Sequence, residues 1–248
     1  MAVFDPYKLL AAAIALGALA APAPAQPDDS HNRAESEPSF EYHLPGAAMA
    51  LPGLAEQLGA EREQARMAFE ERQAEQAQTA IDFPDYPAPP LIYSQDWGIA
   101  GLAGRLMSLA SHIYRYDGGA HGNSEFAARL WDVEADRGTD FPNLFTDRYA
   151  AYAIVDRAYC PQLQAMQAER GIAVDEDEFW GRCPLLHEQT IFPVGEEGGA
   201  FTHIAIRIAP YVAGPYVAGE FEIDVPVTQP LIDLLAPRYR DAFALPEG

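Results

Sequence analysis

The chain has 248 residues, of which 49% are hydrophobic and 11% aromatic, so it can form a sizeable core as one large domain or two small ones. Its 37 acidic and 16 basic residues give a formal net charge of -21. Such a charge repels phosphate groups and anionic lipids, which disfavours nucleic acids and membrane surfaces as partners, whereas it attracts cationic proteins.

Residues 1–25 are predicted to be an export signal. Residues 9–20 are apolar and uncharged but too few to span a bilayer. Ala23 and Ala25 supply the small residues of a cleavage site, so we expect cleavage after Ala25. Residues 26–37 are polar and bounded by prolines, which predicts a flexible lead-in. We therefore expect an exported chain, periplasmic or extracellular, that is soluble after processing and is not an integral membrane protein.

Residues 38–118 are predicted to form an N-terminal part with the order strand, helix, strand. Around residue 42, apolar and polar residues alternate with the period of a half-buried strand. Residues 51–78 follow with helical spacing, and Pro52 suits the first turn. The residues expected on the buried face are Leu51, Leu54, Leu58, Ala65 and Phe69, and those expected on the charged face are Glu63, Arg66 and Glu70.

A turn-rich connector over residues 82–90 leads to two predicted strands, residues 91–97 and 106–116. Residues 125–133 are then expected to form a hairpin arm. Gly138 follows an Asp-Arg turn, and we predict that it takes the left-handed backbone conformation there.

Residues 119–248 are predicted to form a C-terminal part that begins with a further helix. That helix is expected from residue 146 to about 159, with Thr146 as its N-cap. Pro161 is expected to limit how far it continues, because proline removes a backbone hydrogen bond inside a helix.

Two strands are predicted over residues 201–209 and 220–227, because apolar and polar residues alternate in both. Arg207 lies on the polar face of the first strand, and acidic residues line the polar face of the second, so opposite charges pair if the strands are neighbours. Residues 228–237 are predicted to form a short closing helix. Thr228 is its expected cap, Pro230 lies near its start and Pro237 is expected to end it.

These patterns predict an α+β fold, with antiparallel sheets packed against a long amphipathic helix and shorter helices. Alternation with one polar face is typical of antiparallel strands that are covered on one side only. Residues 38–118 and 119–248 are expected to form one compact unit.

The two cysteines of the chain, Cys160 and Cys183, are predicted to form a disulfide. An exported chain with a low, even number of cysteines favours that pairing. The alternative is a zinc site that includes His187, but two cysteines at this separation match no zinc pattern. We expect neither a metal site nor a cofactor.

Residues 114–126, YRYDGGAHGNSEF, combine clustered glycines with one histidine. They lack the lysine and the following helix of a phosphate loop, and their spacing differs from a dinucleotide fingerprint. His121 could act as a general base or ligate a metal, with Asp117 close by, but the chain has no HExxH and no GxSxG motif. The sequence therefore predicts no catalytic set. We expect the glycines to serve positive backbone φ angles or close approach of the backbone.

YRYDGGAHGN resembles the Tyr-x-Gly-Gly-Ala-His signature of the extracytoplasmic domain that the anti-sigma factor RsiV shares with the peptidoglycan deacetylase PdaC. That domain is domain of unknown function 3298, with its 4163-type N-terminal part. LWDVEADRGTDFPNLF and IAPYVAGPYVAGEFEIDVPV also resemble the family, in order over about residues 38–237. The candidate binding residues on the signature are Tyr116, Asp117, Gly118, Gly119, His121 and Asn123. The family usually has threonine where this chain has Asp117.

The resemblance implies an exported binding or sensing module without catalytic activity. With neither a membrane span nor a deacetylase domain recognised in the sequence, we expect the module to stand alone. Its expected partner is a cationic cell-wall hydrolase such as lysozyme, or a peptidoglycan-related ligand. Two alternatives stay open: an envelope hydrolase that uses His121 with or without a metal, and a structural envelope protein whose sheet edges pair with another chain.

Overall fold

The computed structural model describes residues 37–85, 88–172, 180–196 and 198–247. The predicted signal, and all of the predicted lead-in except its last residue, lie outside the described residues. The strands are β1 (Ser39–His43), β2 (Ile92–Ala103), β3 (Leu106–Tyr116), β4 (Asn123–Asp132), β5 (Arg137–Thr139), β6 (Thr190–Gly195), β7 (Phe201–Ile208) and β8 (Phe221–Pro226). The α-helices are α1 (Gly46–Met49), α2 (Pro52–Asp82), α3 (Arg148–Glu169) and α4 (Gln229–Asp233).

Strands β1 to β5 form one sheet in chain order, and β6 to β8 form a second sheet. Neighbouring strands are antiparallel except for β1 and β2, which run parallel. The expectation of antiparallel strands is therefore wrong for this pair. The cause is α2, whose 31 residues carry the chain back so that both strands start at the same end, as parallel strands require. The α+β class is confirmed.

Helix α2 packs on one face of the first sheet. Leu54 and Leu58 are fully buried there, and Ala65 and Phe69 are partly buried against the same cluster, so the predicted apolar face is confirmed. The sheet contributes Tyr42, Tyr93, Trp97, Met107, Leu109, Ile113 and Trp131 to this core. Full burial of a leucine side chain stabilises the fold by about 2 kcal/mol, which is enough to fix the first half of the helix on the sheet.

The opposite face of the first sheet is also covered. Leu106 and Leu130 are buried in a second core together with Phe192 of β6, and β6 contacts β2, β3 and β4. The expectation that strands are covered on one side only is therefore wrong for this sheet. The sequence signal lies in β3, where residues 106–109, Leu-Met-Ser-Leu, are all buried. A nearly continuous apolar run is typical of a strand with two covered faces.

Helix α3 contributes one long face to the second core and continues past its internal proline. Its N-cap is Asp147, whose carboxylate accepts hydrogen bonds from the backbone N–H groups of Tyr149 and Ala150. The prediction of Thr146 as cap is wrong, since its hydroxyl donates to the carbonyl of Leu234 instead. Pro161 does not end the helix.

The reason is burial on both sides of that proline. The buried residues of α3 are Ala151, Val155, Tyr159, Leu163 and Gln167. They recur at every fourth position and therefore share one face that spans Pro161. Their packing outweighs the cost of about 3 kcal/mol that an interior proline imposes.

Two further local predictions are wrong. The left-handed residue of the hairpin after β4 is Asp136, with φ 44°, and not Gly138, which lies against the Trp131 ring. Thr228 precedes α4 as predicted, but its side chain makes no capping hydrogen bond.

Arg207 pairs with Glu222 at 3.1 Å and with Asp224 at 2.8 Å, which confirms the predicted pairing of β7 with β8.

Cys160 and Cys183 form the predicted disulfide, with their Cα atoms 5.7 Å apart. The bond holds the segment before β6 against α3, where the Tyr159 hydroxyl also donates to the carbonyl of Pro184 at 3.2 Å. Because both sulfur atoms are in the disulfide, the zinc alternative with His187 is wrong. Among the described helices, none is both long and apolar enough to cross a membrane.

Candidate functional site

The glycine-rich loop connects β3 to β4, and two of its glycines have a conformational reason. Gly118 has φ 85°, a left-handed conformation that residues with a Cβ rarely adopt. A Cβ on Gly122 would overlap the ring of Tyr114, so the backbone approaches that ring closely. Gly119 shows neither constraint. The predicted role of the glycines in shaping the backbone therefore holds for Gly118 and Gly122.

His121 lies at the end of this loop, exposed to solvent, and contacts two tyrosines of the β7–β8 connector. Its ring stacks on that of Tyr216, with centroids 3.5 Å apart and an interplanar angle of 17°. Nδ1 lies 2.9 Å from the carbonyl oxygen of Gly122, and Nε2 lies 3.0 Å from the hydroxyl of Tyr211. A carbonyl only accepts hydrogen bonds, so Nδ1–H donates to Gly122 and, in the neutral ring, Nε2 accepts from Tyr211.

Tyr211 is held in an unusual backbone conformation while its ring is half exposed. Its φ is 71°, and 51% of the residue is accessible to solvent. A bulky residue in the left-handed region costs about 1–2 kcal/mol, and such strain is typical of functional sites. The indole N–H of Trp180 donates to the carbonyl of Tyr211 at 3.3 Å. We call His121, Tyr211 and Tyr216 the aromatic cluster.

Arg170, the residue that follows α3, holds the connector that carries both tyrosines. Its Nη1 donates to the carbonyl oxygens of Ala218 at 2.7 Å and Glu220 at 2.6 Å, and its guanidinium lies 4.1 Å from the ring centroid of Phe221. A pocket of about 600 Å³ opens between Arg170, Trp180 and Val217. Val217 is 91% exposed, so this surface is apolar as well as aromatic.

The predicted binding residues do not all meet at this surface. His121 belongs to the aromatic cluster, and the Tyr116 hydroxyl closes the loop by donating to the carbonyl of Gly119 at 3.0 Å. Asp117 and Gly118 line a different groove, beside α2. Asn123 begins β4, in register with Arg115, and its buried Oδ1 has no hydrogen-bond partner among the described residues.

Five residues at this surface were not predicted as site residues: Arg170, Trp180, Tyr211, Tyr216 and Val217. The available signal was the repeat of Tyr-Val-Ala-Gly in residues 211–219, which lies in a stretch that resembles the family but supplied none of the candidate binding residues. The long sequence separation between His121 and this repeat hides the contact from any local pattern.

Among the described residues, the hydrogen-bond partners of the imidazole are a carbonyl and a phenol, and none of the ring contacts is a carboxylate. Asp117 instead lies 3.5 Å from a guanidinium nitrogen of Arg72. Within the described ranges, no group of three or more histidine, cysteine, aspartate or glutamate side chains is placed to hold a metal ion. The arrangement presents rings for contact, while their polar atoms bind one another or, for His121 Nδ1 and the Tyr216 hydroxyl, the carbonyl of Gly122.

No protein-family model matches this chain, and no curated protein matches it. The chain is similar to several solved structures, among them two of the DUF3298 family. One is a DUF3298 family protein from Pseudomonas aeruginosa PAO1, with 14% identity and a TM-score of 0.44 over 65% of this chain and 70% of that one. The other is a member of the DUF3298 family from Bacteroides fragilis NCTC 9343, with 15% identity and a TM-score of 0.49 over 77% of this chain and 76% of that one.

Both neighbours carry the family name that the sequence motifs predicted. The likeness to RsiV and PdaC in particular stays a prediction. Because both TM-scores are low, these two structures support no conclusion about the function of this chain.

Proposed function

We propose that this chain is an exported, non-enzymatic binding or sensing module of the cell envelope. Its partner in this proposal is a cationic cell-wall hydrolase of the lysozyme type, and its contact surface is the aromatic cluster with the neighbouring Val217. The motif resemblance supplies the partner class. The alternative ligand in the same role is a peptidoglycan fragment.

The observation that carries the proposal is the combination of backbone conformation and solvent exposure at Tyr211. A half-exposed tyrosine in a left-handed conformation stores strain that glycine would avoid, and its hydroxyl is hydrogen-bonded to His121. Tyrosine and tryptophan are enriched among the residues that dominate binding energy at protein interfaces. Tyr211 therefore has the properties of an interface residue that is preorganised for binding in the unbound chain.

The net charge of -21 supports a cationic partner. A field of this sign raises the association rate of a positively charged protein, and added salt weakens it. Acidity is also common among soluble proteins, so the charge supports the choice of partner, whereas the aromatic cluster supports the choice of surface.

Calorimetric titration with a cationic lysozyme tests the proposal. At ionic strengths of about 0.01 M and about 0.1 M the Debye length is about 30 Å and about 10 Å, and we expect clearly tighter binding at the lower value. Tyr211→Gly removes the ring and keeps a residue that accepts the left-handed backbone. We expect it to weaken binding by about tenfold or more, as for a hot-spot tyrosine.

Tyr149→Ala is the matched control, because Tyr149 is a 76% exposed tyrosine in the first turn of α3. It should bind lysozyme like the unaltered chain. Negligible binding at both ionic strengths would contradict the cationic partner, and equal losses for the two tyrosine variants would contradict the surface.

The hydrolase alternative has one observation in its favour. Because Nδ1–H of His121 is held by a carbonyl, the neutral ring directs its basic Nε2 at the hydroxyl of Tyr211, an orientation that a general base needs. A muropeptide hydrolysis assay with the unaltered chain and with His121→Ala tests it. Turnover that is lost in the variant would establish the hydrolase and overturn the non-enzymatic proposal.

A further inference from the structure

A groove between α2 and the first sheet is separate from the aromatic cluster. It has a volume of about 350 Å³, in the size range of small-molecule sites. Its wall is formed by Ala65, Ala68 and Phe69 of α2, and its floor by Ile92 and Tyr93 of β2. Two guanidinium groups and one carboxylate stand at its edge, those of Arg72, Arg115 and Asp117.

Strand register places the aromatic floor and one arginine side by side. Phe40, Tyr93 and Arg115 occupy facing positions on β1, β2 and β3, so their side chains share the sheet face that α2 covers. The Phe40 and Tyr93 rings are stacked, with centroids 5.1 Å apart and an angle of 14°. The Arg115 guanidinium lies 5.5 Å from the centroid of the Tyr93 ring. The floor is therefore rigid, and the cation stands over it.

Both guanidinium groups lie farther from their acids than do the other ion-paired arginines of the described residues, Arg66, Arg105, Arg129 and Arg207. Arg115 lies 3.3 Å from Glu125, and Arg72 lies 3.6 Å from Glu75 as well as 3.5 Å from Asp117. Arg105, by contrast, makes three contacts of 2.8 to 3.0 Å with a single carboxylate.

Tight charge-assisted bonds measure about 2.7–2.9 Å, and a guanidinium has five N–H donors in a fork that fits a planar carboxylate. The pairs at the groove are longer than this. Arg72 and Arg115 therefore retain capacity for a further carboxylate.

We infer that this groove binds a small carboxylate ligand with an apolar or aromatic body. The carboxylate would pair with Arg115 and Arg72, and the body would lie against Phe69 and Tyr93. The free C-terminus of a peptide and a free organic acid share this chemistry. Asp117 competes with the ligand for Arg72, so it lowers the affinity.

Fluorescence or NMR titration of the full chain tests the inference with three probes: N-acetyl-alanyl-phenylalanine, its C-terminal amide, and phenylpropionate. The dipeptide acid should bind at least about tenfold more tightly than the amide, the ratio expected when a bidentate charged pair is lost. Tighter binding of the dipeptide acid than of phenylpropionate identifies a peptide terminus, and the reverse identifies a free acid. Equal binding of acid and amide, or no binding of either acid at millimolar concentration, overturns the inference.

Two variants assign the binding to the groove. Arg115→Lys keeps the charge and the contact with the Tyr93 ring but loses the fork, so we expect about tenfold weaker binding of the acid with an unchanged melting temperature. Asp117→Asn removes the competing carboxylate and should tighten binding by about threefold, whereas a groove that selects cations would lose affinity.

Arg148→Gln is the matched control. Arg148, like Arg115, lies over a tyrosine ring, but this ring is the exposed one of Tyr149, at 5.3 Å and outside the groove. Its substitution should leave the affinity unchanged. Because these variants do not touch the aromatic cluster, the inference and the proposed lysozyme binding succeed or fail separately. Tighter binding of inorganic phosphate than of either acid would also overturn the inference, since phosphate has no apolar body.

Discussion

At the scale of single residues, Tyr211 links backbone conformation to the proposed function. Its left-handed φ is unfavourable, and glycine would adopt it without strain. The centroids of the Tyr211 and His121 rings lie 6.1 Å apart. The contacts of the Tyr211 ring therefore stabilise the loop only at the surface of the molecule. A residue kept for folding alone would not combine strain with exposure.

Replacement of Tyr211 by glycine should therefore leave the free energy of unfolding within about 1 kcal/mol of the unaltered value, because relief of strain offsets the lost contacts. Urea unfolding followed by circular dichroism measures this directly. A loss well beyond that range would show that the ring is needed for the fold, and the argument from strain to binding would not stand.

Asp132 is the residue whose ionisation should matter most for stability. Its side chain is fully buried, which by itself raises the pKa. Hydrogen bonds from the Arg105 guanidinium and from the backbone N–H of Ala135 outweigh burial and hold the pKa of Asp132 below its ordinary value. The folded state therefore binds a proton at this site less readily than the unfolded chain does. The resulting stabilisation is complete above a pH of about 4 and is lost as the pH falls through the lower, folded-state pKa.

Asp132→Asn should reduce the free energy of unfolding at neutral pH by about 2–3 kcal/mol, since the guanidinium loses its buried partner. It should also make stability less dependent on pH below about 4. Urea unfolding at neutral and acidic pH measures both effects. Asp96→Asn, at an exposed position of β2, serves as the control, and an equal response of the two variants would contradict the assignment.

At the scale of elements, α2 is joined to the sheet by a polar network as well as by its leucines. Glu61 accepts hydrogen bonds from the Tyr42 hydroxyl at 3.0 Å, the Gln95 amide at 3.1 Å and the Arg129 guanidinium at 2.8 Å. The Trp97 indole in turn donates to Tyr42 at 3.0 Å. One carboxylate thus serves donors from three strands, which fixes the rotation of the helix and with it the wall of the groove.

Glu61→Ala should destabilise the chain by about 2–3 kcal/mol, because the buried side chains of Tyr42 and Gln95 and the partly exposed guanidinium of Arg129 lose their acceptor. Glu63→Ala is the matched control, as Glu63 is two residues along the same helix and pairs with Arg66 at the surface. Its effect on the melting temperature should be small. Comparable melting temperatures for the two variants would contradict a central role for Glu61.

The elements also show where sequence patterns suffice. Periodicity predicted α2, β1, β3, most of β4, the first half of β2 and the pairing of Arg207 with β8, because local alternation reflects which face is buried. It did not predict β5, whose Gly138 was assigned to the turn. It failed at Pro161, where packing along all of α3 overrides a local preference, and at the parallel β1–β2 pair, which depends on the crossover. The aromatic cluster was half predicted: His121 stood out locally, but its partners Tyr211 and Tyr216 are brought to it only by the fold.

At the scale of the whole molecule, the disulfide stabilises the C-terminal part. It closes a loop with a sequence separation of 23 residues, and chain entropy predicts a contribution of about 3 kcal/mol. The double variant Cys160→Ser, Cys183→Ser should lose that amount in urea unfolding. A much smaller loss would show that the packing of Tyr159 and its neighbours holds this segment without the bond. Such a disulfide is typical of exported proteins.

Hydrogen exchange of the chain in complex with a cationic lysozyme, at low ionic strength, locates the bound surface directly. Binding through the aromatic cluster predicts slower amide exchange in residues 117–123 and 209–219 than in the unbound chain, with α2 and the first turn of α3 unaffected. Slower exchange confined to other segments, or unchanged exchange throughout a saturated complex, would contradict the assignment of this surface.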